Sequence, residues 1–185
     1  SVGAHAAGKA RIDGEDLTGV VSAIGLLRGI GDEEYPDFTG KTVAVIGGGN
    51  VAMDATRTSI RLGADKVYCV YRRRQKDMTA QPEEVEGAMA EGAEMLTLKA
   101  PVRIEGDENG NAVALWVKPQ IPGLQDAGGR PAPVPADLPE ERIAADVIVV
   151  AIGQKVETGV YEKAGIPTGR RGLLAMRNGQ TAAGK

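Results

Sequence analysis

A glycine-rich stretch near residue 50 has the residue types and spacing best suited to chemistry in this chain. Gly47, Gly49 and Ala52 stand in a G-x-G-x-x-A pattern between an apolar run and a helical pattern. Gly47 permits a tight turn, Gly49 has no Cβ that would keep a pyrophosphate from the backbone, and Ala52 lets the helix lie close to the strand. The first N–H groups of the helix then point at the phosphates. The pattern predicts dinucleotide binding, and the alternative is a plain tight turn.

A basic cluster follows about 25 residues after Gly47, where a dinucleotide-binding fold places the residue that recognises the ribose. NAD-selective sites usually have Asp or Glu there, whereas this chain has Arg72, Arg73 and Arg74, followed by Lys76. A carboxylate would repel a 2′-phosphate, and a guanidinium can bind it through two hydrogen bonds. The cluster therefore favours NADP over NAD, with a solvated basic turn as the alternative. Arg72 and Arg73 rank first because they lie nearest the predicted strand end.

The apolar pattern predicts an α/β fold whose central parallel sheet positions these groups. We predict strands at 42–46, 66–71, 94–99 and 146–154, and helices at 16–28, 50–62 and 82–91, with 29–40 as an exposed linker. Gly63 should cap the second helix, and Asp54 should pair with Arg57 on its outer face. Since carboxyl ends of parallel strands line the ligand crevice, Ala151, Ile152 and Gly153 should also contact the nucleotide.

An antiparallel insertion is predicted between the third and fourth of these strands. Residues 102–105 and 112–118 read as strands, and Asn109-Gly110 between them is a hairpin signal. Trp116 falls on the face opposite the alternating apolar residues. Residues 119–139 hold six of the ten prolines and are predicted to form a long loop.

Composition excludes several functional classes. The 185 residues carry a net charge of −3 and a pI near 5.3, which argues against nucleic acid or an anionic membrane as the main partner. Cys69 is the only cysteine, so we expect no internal disulfide and a reducing, cytoplasmic location. No apolar run approaches the roughly 20 residues of a membrane span. No catalytic or metal-ligating residue is predicted, and His5, the only histidine, is assigned a surface role.

Several motifs together carry a family resemblance. The segments G-G-G-N-V-A-M-D at 47–54, V-Y-R-R at 70–73, M-T-A at 78–80 and A-D…A-I-G-Q from 145 to 154 resemble the small subunit of glutamate synthase and its relatives, which include the flavin-binding part of dihydropyrimidine dehydrogenase. The resemblance runs from about Gly14 to Gln154. Members of that family usually have proline where Thr79 stands.

The resemblance implies a Rossmann-like FAD/NAD(P)-binding fold and a division of labour. One domain would hold FAD and a second, inserted into it, NADPH; hydride would pass between them and electrons onward to iron–sulfur clusters of a neighbouring domain or large catalytic subunit. By the resemblance, the pyrophosphate residues are Gly47, Gly48, Gly49, Asn50, Val51 and Ala52, the 2′-phosphate residues are Arg72 and Arg73 with Arg74 beside them, and the residues near the nicotinamide are Ala151, Ile152 and Gly153.

The domain organisation is predicted accordingly. Residues 1–40 should lead from an FAD domain, 41–154 should form the NADP domain, and 155–185 should lead back toward the FAD domain. The FAD motifs of the family do not occur in these residues, so this chain should bind NADP(H) but not FAD, and it should not turn over by itself. The alternatives are a non-catalytic nucleotide-binding regulatory domain and a stand-alone NADP-dependent dehydrogenase.

Overall fold

The computed structural model describes residues 6–126, 128–155, 176–177 and 180–181. Within these ranges the helices are α1 (Ala23–Gly31), α2 (Asn50–Arg61) and α3 (Pro82–Ala90), with a 3₁₀ turn at Gln75–Asp77. The strands are β1 (Ala6–Ala7), β2 (Val20–Ser22), β3 (Thr42–Ile46), β4 (Lys66–Tyr71), β5 (Glu94–Thr97), β6 (Lys99–Gly106), β7 (Ala112–Gln125), β8 (Pro131–Pro135), β9 (Glu141–Ala144), β10 (Val147–Val150), β11 (Gln154–Lys155), β12 (Met176–Arg177) and β13 (Gln180–Thr181).

The core of the fold is a five-stranded sheet with the order β2-β10-β3-β4-β5. Every pairing within it is parallel. β3 and β10 are apolar along their length and almost wholly buried, as expected for central strands covered on both faces. The predicted α/β class and the first two strands are confirmed.

The two faces of this sheet are covered differently. Val43 and Val45 of β3 pack with the three helices on one face. Ala44 and Ile46, which alternate with them, pack with residues of the antiparallel strands on the other. The period-2 alternation of the strand therefore builds a three-layer structure of helices, parallel sheet and antiparallel sheet.

The antiparallel layer is the predicted insertion. β6 and β7 form a hairpin closed by residues 107–111, and β9 pairs with β7 on its other side. At the hairpin turn Gly110 has φ +79°, so the Asn-Gly signal is confirmed. Trp116 is half-buried, and its indole Nε1 donates to Glu105.

The expected loop at 119–139 is wrong. β7 continues to Gln125 and pairs with β8. Proline cannot donate to a ladder hydrogen bond, so it is normally confined to sheet edges and irregular positions. Pro122 pairs opposite Pro133 just before a register irregularity. The number of prolines therefore indicated a loop where the chain forms a hairpin at the edge of the sheet.

The expected helix at 16–28 is also wrong in its first half. Residues 20–22 form β2 beside β10, and α1 begins only at Ala23. Gly19 takes φ +94°, and the Ser22 hydroxyl caps the helix by accepting from the Gly25 N–H at 2.9 Å. α1 then continues to Gly31, into the stretch expected as a linker.

The Asp54–Arg57 pair is a further correction. Arg57 instead reaches across to Glu84 of α3 at 2.9 Å and to Glu91 just after it at 2.7 Å. These ion pairs join α2 to α3 on the outer surface. Gly63, with φ +90°, ends α2 as predicted.

Other expectations concern parts of the chain that are not described. His5 and residues 156–175 lie outside the described residues. In the described part of the chain, no helix is long and apolar enough to cross a membrane.

Candidate nucleotide-binding site

A cavity of about 700 Å³ opens at the carboxyl ends of β2, β10, β3 and β4. This volume is in the usual range for small-molecule and cofactor sites. Ten of the twelve residues predicted for the site line it: Gly47, Gly48, Gly49, Asn50, Val51, Arg72, Arg73, Ala151, Ile152 and Gly153. Ala52 and Arg74 are not among the lining residues.

The glycine turn, residues 47–49, connects β3 to α2. Gly47 has φ +156°, and a Cβ built on it would lie 2.6 Å from the carbonyl oxygen of Ala151. Ala52 is fully buried behind the turn, with its methyl 3.1 Å from that same hypothetical Cβ. The first glycine and the alanine therefore serve close packing between the turn, α2 and β10.

Gly49 has a different environment. It is the N-cap of α2, with φ −106° and ψ 176°, values that any residue can adopt. A Cβ there would meet only Thr79 Oγ1, at 3.3 Å. The backbone conformation at Gly49 therefore does not require glycine, and the absence of a Cβ leaves room for a ligand to approach the backbone there.

The start of α2 offers hydrogen-bond donors to the cavity. The N–H groups of Gly48, Gly49, Asn50 and Val51 donate to no other described residue. Such groups at a helix start, backed by the helix dipole, form an anion-binding site. This arrangement fits a pyrophosphate.

A neighbouring loop holds the glycine turn in place. The backbone N–H groups of Thr79 and Ala80 donate to the Gly48 carbonyl at 2.9 and 3.0 Å, and Asn50 Oδ1 accepts from the Gln81 N–H at 2.9 Å. Proline at position 79, usual in the family that the chain resembles, could not make the first of these bonds.

Tyr71, the last residue of β4, packs its ring against the glycine turn. A Cβ on Gly48 would lie 2.5 Å from two of its ring carbons. Its hydroxyl donates to the Asp77 carbonyl at 3.0 Å. Sequence reasoning did not assign Tyr71 or Thr79 to the site; the only signal for them was their nearness to the arginines and to the M-T-A motif.

The three consecutive arginines have three different environments. Arg72 is exposed and lines the cavity, and among the described residues it has no carboxylate partner. Arg73 is buried: its Nη2 donates to Asp126 at 2.6 Å and its Nε to the Pro131 carbonyl at 3.0 Å. Arg74 makes two bonds to Asp77, at 2.6 and 3.1 Å, and this pairing lowers the pKa of the Asp77 carboxyl.

Sequence reasoning missed Arg130. It lies at the end of the loop between β7 and β8, inside the segment read as a proline-rich loop, and it lines the cavity. No pattern in its own neighbourhood pointed to a ligand. Its position depends on β7 being long enough to carry the β7–β8 hairpin back to the end of β4.

Two further observations concern thiol and metal chemistry near the site. The thiol of Cys69 is fully buried in β4, and burial raises its pKa to about 12, so it is not a reactive thiolate. No group of three or more His, Cys, Asp or Glu suited to a metal ion occurs in the described ranges.

Comparison with protein families gives one match over nearly the whole chain. The model of the pyridine nucleotide-disulphide oxidoreductase family matches residues 2–183. The chain is 35% identical over 178 residues to the NADP(+)-dependent formate dehydrogenase subunit beta of Moorella thermoacetica, covering 95% of this chain and 25% of that protein. It is 34% identical over 162 residues to the glutamate synthase [NADPH] small chain of Escherichia coli, covering 82% of this chain and 34% of that protein.

Solved structures share the fold. Mycobacterium tuberculosis FprA in complex with NADPH superposes with a TM-score of 0.76 at 19% identity, over 100% of this chain and 55% of FprA. The thioredoxin reductase of T. acidophilum superposes with a TM-score of 0.70 at 16% identity, over 96% of this chain and 51% of the enzyme. The chain thus spans a quarter to a third of the two curated relatives and about half of these two solved chains.

Proposed function

Because the chain belongs to the pyridine nucleotide-disulphide oxidoreductase family, we propose that it binds NADP(H) within an NADPH-dependent flavin oxidoreductase of the glutamate synthase small-subunit type. The observation that carries this proposal is one cavity that joins the free N–H groups at the start of α2 to the arginines at the end of β4. NADP(H) bound in this cavity would have its pyrophosphate at the start of α2 and its 2′-phosphate at the arginines.

Each part of the cavity has a proposed task. The N–H groups of the glycine turn and of Asn50 and Val51 bind the pyrophosphate. Arg72 binds the 2′-phosphate. Arg73, through its bonds to Asp126 and to the Pro131 carbonyl, holds the cavity wall beside Arg72. Gly153, which has open space where a Cβ would stand, lets the nicotinamide end pass close to the backbone.

The chemistry that NADP(H) supplies when bound is hydride donation or acceptance at the nicotinamide, with FAD of another domain as the partner. The residues of this chain bind and orient the dinucleotide. Donor and acceptor atoms must come within about 3–3.5 Å for such a transfer. We therefore propose that this chain binds nucleotide but does not turn over without an FAD domain.

Partners of larger size are part of the proposal. The relatives are called subunit beta and small chain, and the chain corresponds to only 25% and 34% of their lengths. An FAD domain, and an iron–sulfur or large catalytic subunit that receives the electrons, are the partners we propose.

Calorimetric titration of the chain with NADPH, NADH and FAD tests this function. We expect NADPH to bind at least about tenfold more tightly than NADH, because charge-assisted bonds to a 2′-phosphate contribute roughly 1.5–3 kcal/mol, and FAD not to bind. Arg72→Gln should remove most of this preference and leave NADH binding nearly unchanged. Arg28→Gln, on an exposed α1 side chain, is the matched control. Equal binding of NADPH and NADH by the unaltered chain would refute the assignment.

A further inference from the structure

We infer that Arg130 is a second cation for the 2′-phosphate of NADP(H), held at the cavity by Asp126, and that it helps to select NADP(H) over NAD(H). The inference rests on the proposed function and adds a specificity-determining residue from a different layer of the fold. The hairpin loop is defined here as residues 126–130, of which residue 127 is not described.

The hairpin loop places Arg130 at the arginine end of the cavity. Arg130 lines the same cavity as Arg72 and Arg73, although 57 positions separate Arg130 from Arg73 in the sequence. β7 belongs to the antiparallel layer and β4 to the parallel sheet. The cavity wall at this end is therefore built from both layers.

Hydrogen bonds of Asp126 to the backbone of Gly128 and Arg130 hold the hairpin loop together. The Oδ1 of Asp126 accepts from the Gly128 N–H at 2.8 Å and from the Arg130 N–H at 3.1 Å. Its own N–H donates to the Arg130 carbonyl at 2.8 Å. These bonds fix the backbone of Arg130. The bonds that the carboxylate accepts from the Arg130 and Gly128 N–H groups, together with the charges of Arg73 and Arg130, lower the pKa of the Asp126 carboxyl.

Arg73 fastens this loop to the end of β4. Its side chain is 9% exposed and bonds to Asp126 and to the Pro131 carbonyl. The charges of Arg73 and Asp126 compensate each other. Arg73 is therefore a positioning residue in this arrangement, and its guanidinium is already committed.

Arg72 and Arg130 are the other two arginines that line the cavity. Among the described residues, neither guanidinium forms an ion pair with a carboxylate. A phosphate monoester carries about −1.5 to −2 charges near neutral pH. Two guanidiniums match that charge better than one, and each can make two hydrogen bonds to phosphate oxygens.

Binding of 2′,5′-ADP and 5′-AMP to the full chain, measured by titration beside NADPH and NADH, tests the inference. We expect Arg130→Gln to weaken NADPH and 2′,5′-ADP about tenfold, as for loss of one charge-assisted contact, with NADH and 5′-AMP changed less than about twofold. Arg130→Lys should restore part of the loss. Arg28→Gln is again the control, and the melting temperature of each variant verifies folding.

Asp126→Ala, which removes the oxygen that accepts from the Gly128 and Arg130 N–H groups, tests the positioning step. It should lower the ratio of NADPH to NADH affinity while leaving NADH binding in place, which general destabilisation would not do. If the unaltered chain prefers NADPH and Arg72→Gln removes that preference while Arg130→Gln does not, the inference is overturned and the proposed function stands. Equal loss of NADPH and NADH in Arg130→Gln also overturns it, since Arg130 would then contact a shared part of the dinucleotide. An unaltered chain without preference overturns both.

Discussion

Gly47→Ala and Gly49→Ala should distinguish two reasons for glycine in the glycine turn: close packing at Gly47 and approach of the ligand at Gly49. At Gly47 a methyl would lie 2.6 Å from the Ala151 carbonyl oxygen, and φ is +156°. Contact with backbone cannot be relieved by a rotamer change. At Gly49 the φ of −106° suits alanine, and the nearest atom is Thr79 Oγ1, at 3.3 Å.

The expected magnitudes follow from these environments. Gly47→Ala should cost roughly 1–3 kcal/mol for overpacking and about 1–3 kcal/mol more for backbone strain. For a chain of this size each kcal/mol lowers the melting temperature by about 2–4 °C, so we expect a fall of at least about 5 °C. Gly49→Ala replaces one N-cap residue with a poorer one, at less than about 1 kcal/mol.

Nucleotide binding should be weakened specifically in Gly49→Ala, the variant with the smaller loss of stability. In Gly49→Ala the folded protein keeps a methyl group where the pyrophosphate must approach. We expect NADPH and NADH to weaken equally, by about 10- to 100-fold, as for loss of roughly 1.5–3 kcal/mol of charge-assisted bonding. Thermal unfolding and calorimetric titration of both variants give the two readouts.

Two results would refute this reasoning. A folded Gly49→Ala protein that binds NADPH like the unaltered chain would show that the phosphates lie elsewhere. A Gly47→Ala protein with an unchanged melting temperature would show that the Ala151 contact relaxes at no cost. The first result bears on function, and the second bears only on packing.

Three further predictions concern the rest of the fold. Bonds from Arg142 and Trp116 hold the pKa of Glu105 at about 2, below its ordinary 4.5. The stability that these bonds give is present above about pH 4.5 and is lost as the pH falls toward 2. Glu105→Gln should therefore flatten the pH dependence of the melting temperature in that interval, and an unchanged profile would contradict the assignment. Cys69, fully buried with a pKa near 12, should react with a disulfide reagent at pH 8 only at the rate of protein opening, and rapid labelling of the folded chain would contradict its burial. Leu124 is 90% exposed, so Leu124→Ser should change stability by no more than about 0.5 kcal/mol, and a larger fall measured by urea unfolding would show that Leu124 is packed.

The parallel sheet and its glycine turn were predictable because their signals are local. β3 and β4 occupy the predicted residues, since a short β-branched run with small residues after it has few other uses. The start of α1 was not predictable in this way. Val20 and Val21 fit a helical period as well as a strand, and tertiary pairing with β10 decides for the strand.

The arginine end of the site shows the opposite case. The sequence places three arginines at a strand end, and their charge alone does not distinguish them. Asp126 and Asp77 decide which ones are compensated, and Asp126 comes from a segment whose prolines indicated a loop. Arg130 was missed for the same reason, because its place depends on a pairing between β7 and β8.

The contacts of Arg73 also bear on how nucleotide binding would act on stability. Arg73 joins the carboxyl end of β4 to the hairpin loop through its ion pair with Asp126. A 2′-phosphate held by Arg72 and Arg130 would add a second link between the same two elements. Ligand at about 100 times its Kd stabilises a protein by about 2.7 kcal/mol. In this fold part of that stabilisation should appear as protection of the amides of the hairpin loop from hydrogen exchange, more with NADPH than with NADH at equal saturation, because only the 2′-phosphate makes the second link.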